Sequence, residues 1–104
     1  MGEFIKVASV TELEPGEGKS IEVNGERIAL FNMDGRFYAI GDTCTHAEAS
    51  LGEGELREFE VECPFHGACF DIRTGEAKTP PAVTPVETYD VKVSGNDIEI
   101  RVGK

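Results

Sequence analysis

Two short segments, Cys44-Thr45-His46 and Cys63-Pro64-Phe65-His66, restrict this chain more than any other feature of its 104 residues. They hold both histidines and two of the three cysteines, and sixteen residues separate them. A chain of this length builds one core, so one domain must carry both pairs and bring them together from separate loops. The odd cysteine count excludes a complete set of intramolecular disulfides. In a reducing compartment, cysteines beside histidines read as metal ligands.

The flanks of these segments read as short strands. Phe4-Ile5-Lys6-Val7 is a candidate first strand, and Ser9-Val10-Thr11-Glu12 has the spacing of a capping box around a single helical turn. Ser20-Ile21-Glu22-Val23 alternates, Asn24-Gly25 is a strong hairpin signal, and Arg27 to Asn32 returns. Asp34-Gly35 leads into Arg36-Phe37-Tyr38-Ala39-Ile40. At the other end Tyr89-Asp90-Val91-Lys92-Val93 and Ile98-Glu99-Ile100-Arg101-Val102 alternate about a Ser94-Gly95-Asn96-Asp97 turn. Closely spaced strands with Gly-rich turns and no long helical period predict an all-β fold, an antiparallel sandwich or small barrel. The whole chain, residues 1–104, reads as one domain. Its basal β part spans about residues 1–40 and 86–104, and an insertion spans about residues 41–85. The insertion holds all three cysteines, both histidines and four of the five prolines, with weak strand patterning limited to pieces such as Phe59-Glu60-Val61-Glu62. A long irregular insertion in a small domain is usually functional.

The pairs alone admit two metals. Zinc takes two cysteines and two histidines, although its usual pattern groups Cys with Cys and His with His. Here each loop offers one of each, which suits a two-iron cluster with unlike ends. Replacing two thiolates with neutral imidazoles leaves such a cluster less negative and easier to reduce.

The surroundings of the pairs resemble the Rieske domain pattern, Cys-x-His and then Cys-x-x-His. Its further landmarks follow at Pro64, Gly67, Phe70-Asp71 and Thr74-Gly75, with a proline-bearing third segment at Thr79-Pro80-Pro81-Ala82. The resemblance covers nearly the whole chain. It implies a Rieske-like antiparallel β base with an inserted cluster-binding loop subdomain. It further implies one [2Fe–2S] cluster held by Cys44 and Cys63 on one iron and His46 and His66 on the other. Rieske proteins of respiratory and photosynthetic complexes carry a disulfide between these loops; Ala49 and Phe65 stand at those positions here. They also place hydroxyl donors where this chain has Ala68 and Phe70. Fewer donors near the sulfurs place the expected potential towards the low end of the Rieske range. Cys69 is outside the pattern and is expected to be a partly buried thiol without a ligand role.

Residues around the loops carry further expectations. Gly67 and Gly75 are expected at backbone positions needing close approach or positive φ. Asp71 either accepts backbone N–H bonds from a ligand loop or ends a strand. Leu51, Phe65, Pro80 and Pro81 are candidates for an apolar collar around the histidine edges. Glu48, Glu53, Glu55, Glu58, Glu60 and Glu62 make the region acidic and a candidate docking face.

Composition sorts the roles this resemblance allows. Twenty acidic against ten basic residues give a formal net charge of −10, which repels nucleic acid and anionic membranes and suits partners with basic faces. No apolar run approaches a membrane span and no secretory leader is evident, so a cytoplasmic monomer is expected. With no histidine beyond the two pairs, the chain has no set of ligands for a mononuclear iron centre, and no catalytic constellation is visible. The expected role is a soluble one-electron carrier between a flavin-containing NAD(P)H reductase and a terminal oxygenase, a component of an oxygenase system and not itself an enzyme. The alternatives are the small Rieske-like subunit of an NAD(P)H nitrite reductase and, from another class, a zinc-binding structural or interaction module.

Overall fold

In the computed structural model, which describes residues 3–43, 50–63, 69–78 and 85–102, the strand-rich flanks form two antiparallel sheets. Strand β1 (Glu3–Ser9) leads into a single 3-10 turn at Val10–Glu12, where the Glu12 carboxylate accepts the Ser9 backbone N–H at 3.2 Å. Strands β2 (Gly18–Val23), β3 (Glu26–Met33) and β4 (Arg36–Gly41) follow as a meander. Both connections are two-residue turns with positive φ throughout: 52° and 84° at Asn24-Gly25, 54° and 89° at Asp34-Gly35. That left-handed pairing matches the twist of the strands it joins.

The middle of the chain adds three short strands, β5 (Glu55–Arg57), β6 (Glu60–Glu62) and β7 (Cys69–Asp71), after a second 3-10 turn at Leu51–Glu53. The last elements are β8 (Thr88–Tyr89), β9 (Val91–Ser94) and β10 (Asp97–Val102). The sheets have strand orders β1-β10-β9, β2-β3-β4-β8 and β5-β6-β7. The sequence leads one to expect a single strand from Tyr89 to Val93, but the chain changes sheets at Asp90. Thr88 and Tyr89 pair with β4, whereas Val91 onward pairs with β10. The Asp90 carbonyl accepts the Arg101 N–H at 3.0 Å, so the corner stays hydrogen-bonded.

Burial explains the layering. Side chains along a strand point alternately to opposite faces, yet Ile28, Ala29, Leu30, Phe31 and Asn32 of β3 are all buried. Ile28 and Leu30 join Ala8, Ala39, Ile98 and Ile100 in one core; Ala29 and Phe31 join Ile40, Leu51, Val61, Cys63, Phe70 and Ile72 in the other. The four-stranded sheet is therefore a wall between two cores, one shared with the terminal strands and one with the inserted strands, where chain length led to the expectation of one, because β3 buries both its faces. Asn32 is the polar exception, satisfied by donating to the Leu13 carbonyl at 2.7 Å and accepting the Gly35 N–H at 2.8 Å.

Glu58, in the two-residue turn between β5 and β6, has a φ of 54°. A side chain there sets Cβ against the backbone, at a cost of roughly 1–2 kcal/mol, which glycine avoids at a smaller entropic cost. Glu58→Gly should raise stability by about 0.5–1 kcal/mol, read as a higher urea midpoint with an unchanged slope.

Candidate metal centre

The described residues define the stems from which the loop segments leave. Thr43 and Ser50 form an antiparallel bridge that closes the segment 44–49. Glu62 pairs with Cys69 across β6 and β7, so residues 63–68 are the connection of that hairpin. A third segment, 79–84, leaves beside the second: Lys78 donates its N–H to the Cys69 carbonyl at 2.8 Å, and Phe70 bridges Ala77. Its return is fixed where Val86 donates to the Gly75 carbonyl at 2.9 Å and Gly41 donates to the Glu87 carbonyl at 2.8 Å. Gly75 has φ +78°, and a Cβ there would run into the Val86 carbonyl, which satisfies the expectation for that glycine. The first stem meets the second at Gly54, whose missing side chain makes room for the Glu62 carbonyl.

Asp42 holds the first stem. Its carboxylate is 1% exposed. It accepts the Ser20 hydroxyl at 2.9 Å, the Ser50 hydroxyl at 2.9 Å and the Gly52 N–H at 2.9 Å, with the Arg27 guanidinium at 3.3 Å. The Ser20 and Ser50 hydroxyls are also hydrogen-bonded to each other, so their two protons are shared among these three contacts. Its backbone is held as well: Asp42 N–H donates to the Arg27 carbonyl at 3.1 Å, and Leu51 N–H donates to the Asp42 carbonyl at 2.6 Å. Nothing in the local sequence marks Asp42, because its partners come from β2, β3 and the far side of the loop.

Of the four ligand candidates, Cys63 is described. It is 1% exposed and lies in the core between the four-stranded sheet and the inserted strands. Cys44, His46 and His66 lie outside the described residues, as do Glu48, Ala49, Pro64, Phe65, Gly67, Ala68 and Thr79-Pro80-Pro81-Ala82. Among the described residues no disulfide forms, and Cys69 is half-buried. Phe70 is fully buried and offers no hydroxyl. Leu51 is fully buried in the same core as Cys63, so it packs beneath the loops and gives no surface to an apolar collar. Glu53, Glu55 and Glu58 are exposed and Glu60 and Glu62 half-buried.

Asp71 ends β7. Its Oδ1 accepts the Arg73 N–H at 2.8 Å and its carboxylate takes the Arg73 guanidinium at 3.1 and 3.0 Å. The backbone N–H it binds is thus Arg73's own. The same guanidinium stacks over the Phe59 ring at 4.2 Å, and Tyr38 meets Phe59 edge-on at 6.0 Å, so the inserted hairpin is clasped to β4. The Arg73 hydrogen bonds hold the Asp71 carboxyl below its ordinary range, against the opposing effect of burial.

The donor chemistry fits an iron–sulfur group: two thiols and two imidazoles, one of each per loop, on loops whose stems are hydrogen-bonded to one another's neighbours. A thiol as buried as Cys63 suits a metal-bound thiolate better than an uncompensated one, since metal coordination offsets the cost of burying the charge.

The family model for the Rieske [2Fe-2S] domain matches residues 3–90. The chain is 41% identical over 96 residues to the biphenyl dioxygenase ferredoxin subunit of Pseudomonas sp. strain KKS102, covering 91% of this chain and 88% of that one. It is 45% identical over 97 residues to the 3-phenylpropionate/cinnamic acid dioxygenase ferredoxin subunit of Escherichia coli K12, covering 92% and 91%. Among solved structures, the ferredoxin of carbazole 1,9a-dioxygenase from Nocardioides aromaticivorans IC177 superposes with a TM-score of 0.90 at 37% identity, covering 93% and 95%.

The Asp71–Arg73 pair sets a pH dependence. A carboxyl whose folded pKa is lowered contributes stability that is complete above the unfolded value, about 3.9 for Asp, and is lost as pH falls through the folded value. Asp71→Asn should therefore lower the melting temperature at pH 5 to 7, and the gap from the native protein should close on acidification below pH about 4. Thermal melts of both proteins across that range check it; a gap independent of pH would locate the effect in packing.

Proposed function

Because the chain belongs to the family of Rieske [2Fe–2S] domains, we propose that it is a one-electron carrier that takes electrons from a flavin-containing NAD(P)H reductase and delivers them to a terminal oxygenase. The family brings one Rieske-type [2Fe–2S] cluster, and with it a carrier's role as an oxygenase component in place of catalysis. The cluster, when bound, supplies the single redox site. Cys44 and Cys63 would hold one iron and His46 and His66 the other, and residues 41–85 would form the cluster-binding part of a single domain.

What supports this reading in the fold is the convergence of the loop stems. The Thr43–Ser50 bridge and the Glu62–Cys69 pair close the first two segments, the Lys78–Cys69 hydrogen bond starts the third beside the second, and the Gly41–Glu87 hydrogen bond returns it beside the first. Cys63 enters its loop from a packed core. A carrier works best when its ligands are held alike in both oxidation states, and stems set in sheets limit their movement. The ferredoxin subunits of aromatic-ring dioxygenases among its relatives favour this role over that of a nitrite reductase subunit. No helix among the described residues is long and apolar enough to cross a membrane, and the proposed site of action is the cytoplasm.

EPR of the reduced protein should give a rhombic signal of low average g, as nitrogen ligation of one iron implies. Cys69→Ser should keep that signal, whereas Cys44→Ser and Cys63→Ser should lose the cluster. A four-thiolate signal, or zinc as the only metal, would overturn the ligand set.

The partner reading has its own test. With a net charge of −10, association with a basic partner is steered over a Debye length of about 8 Å at physiological ionic strength. The bimolecular rate of reduction by the cognate reductase should fall as salt rises. Charge reversal at exposed Glu53 should slow it more than reversal at Glu22 on β2. A rate flat in salt would leave apolar contact as the docking force.

A further inference from the structure

Asp42 is the most completely buried carboxylate among the described residues, and it stands two residues before Cys44. Chain length alone keeps the two Cα atoms within roughly 7 Å, since each residue spans at most 3.3–3.6 Å. Its partners lie on three other parts of the chain. Ser20 belongs to β2, Arg27 to β3, and Ser50 and Gly52 to the exit of the loop that Asp42 enters. The carboxylate thus spans the mouth of the segment 44–49 and ties both its ends to the central sheet. Arg27, the cation beside it, keeps 62% of its side chain exposed, so its charge is screened by water while that of Asp42 is not.

We propose that Asp42 is a positioning residue that sets the reduction potential of the cluster, by holding the entry and exit of the first ligand loop and by keeping one negative charge, moderated by the Ser20 and Ser50 hydroxyls, buried at the base of that loop. This rests on the ligand set proposed above. A fixed buried anion disfavours the arrival of an electron nearby and lowers the potential. Hydroxyls that donate to the anion spread its charge and weaken that effect. Substitution of the acid and substitution of either serine therefore act in opposite senses. Asp42→Asn removes the charge and raises the potential. Ser20→Ala and Ser50→Ala, made separately, leave the carboxylate less compensated and lower it.

The sign pattern separates this role from a merely structural one, because loosening of the loop would move the potential of all three variants in one direction. The measurement is protein-film voltammetry of the cluster-loaded protein and each variant at neutral pH, with the EPR g-values and the melting temperature recorded alongside. An upward shift for Asp42→Asn with downward shifts for the serine variants supports the inference. Shifts of one sign, or unchanged potentials with intact spectra, overturn it. Should Asp42→Asn fail to retain its cluster, the serine variants decide: a downward shift supports the role of the buried charge, and no shift or an upward one overturns it. The unsubstituted protein guards the premise. If its reduced spectrum lacks the nitrogen-ligated signal, the ligand set falls, and that result is distinct from any failure of the sign pattern.

Discussion

The two-faced burial of β3 is the constraint on which the other parts of the structure depend. Ile28 and Leu30 face one core and Ala29 and Phe31 the other. A slip of one residue would exchange the two sets and put the large Phe31 among partners that fit Ile or Leu. The ends of the strand resist that slip. At one end Asn24-Gly25 fixes the register with β2; at the other Asn32 ties the strand to Leu13 and to the Asp34-Gly35 turn. With β3 fixed, one face of the wall is completed by β1 and β10, close to a hairpin-built base. The other face is completed by Val61, Cys63, Phe70 and Ile72 from the insertion. The inserted strands thus complete the core on one side, and β6 and β7 are joined through the segment that follows Cys63.

This arrangement explains how short strands can hold a rigid site. β5, β6 and β7 have three residues each, too few to be stable alone. They are fixed by burial of Val61 and Phe70 against the central sheet and by the stack of Arg73 on Phe59. Leu51 does the same for the first loop, anchoring its exit from below. Apolar contacts therefore set the height of each loop base, and directional hydrogen bonds accepted by the Asp42 carboxylate and the Cys69 carbonyl set where the loops leave it.

The hairpins were legible because Asn-Gly and Asp-Gly specify positive φ from two residues, with no help from distant parts of the chain. The family pattern was legible for a similar reason, since residue type and spacing in Cys44-Thr45-His46 and Cys63-Pro64-Phe65-His66 are local. What the sequence hid depends on partners far along the chain. β5 and β7 are too short for alternation to register, and Cys69-Phe70-Asp71 reads as loop until Glu60 to Glu62 is placed beside it. The alternation from Tyr89 to Val93 is continuous in sequence, and only the presence of two different neighbours, β4 and β10, breaks it at Asp90. Leu51 looked like a rim residue because it follows the ligand loop, yet the core above Phe31 takes it in. Asp42 carried no signal, since an acid before a cysteine is unremarkable until Ser20 and Ser50 are seen to converge on it.

The placement of buried charge follows from the same division between base and insertion. Most acids of this chain are at the surface, where ion pairs such as Lys6–Asp97 and Lys78–Glu76 contribute little. Among the described residues two carboxylates are buried, Asp42 and Asp71, and they stand before the segment 44–49 and after the segment 64–68. Burying a carboxylate is costly unless its oxygens are fully hydrogen-bonded. Each of these is satisfied, Asp42 by donors from three segments and Asp71 by Arg73. Apolar residues at both places would bury more cheaply, but they would fix no direction. A carboxylate that is stable only when every donor is in place penalises any other course of the chain, so Asp42 fixes how the chain leaves β4 for the segment 44–49, and Asp71 fixes how it leaves β7.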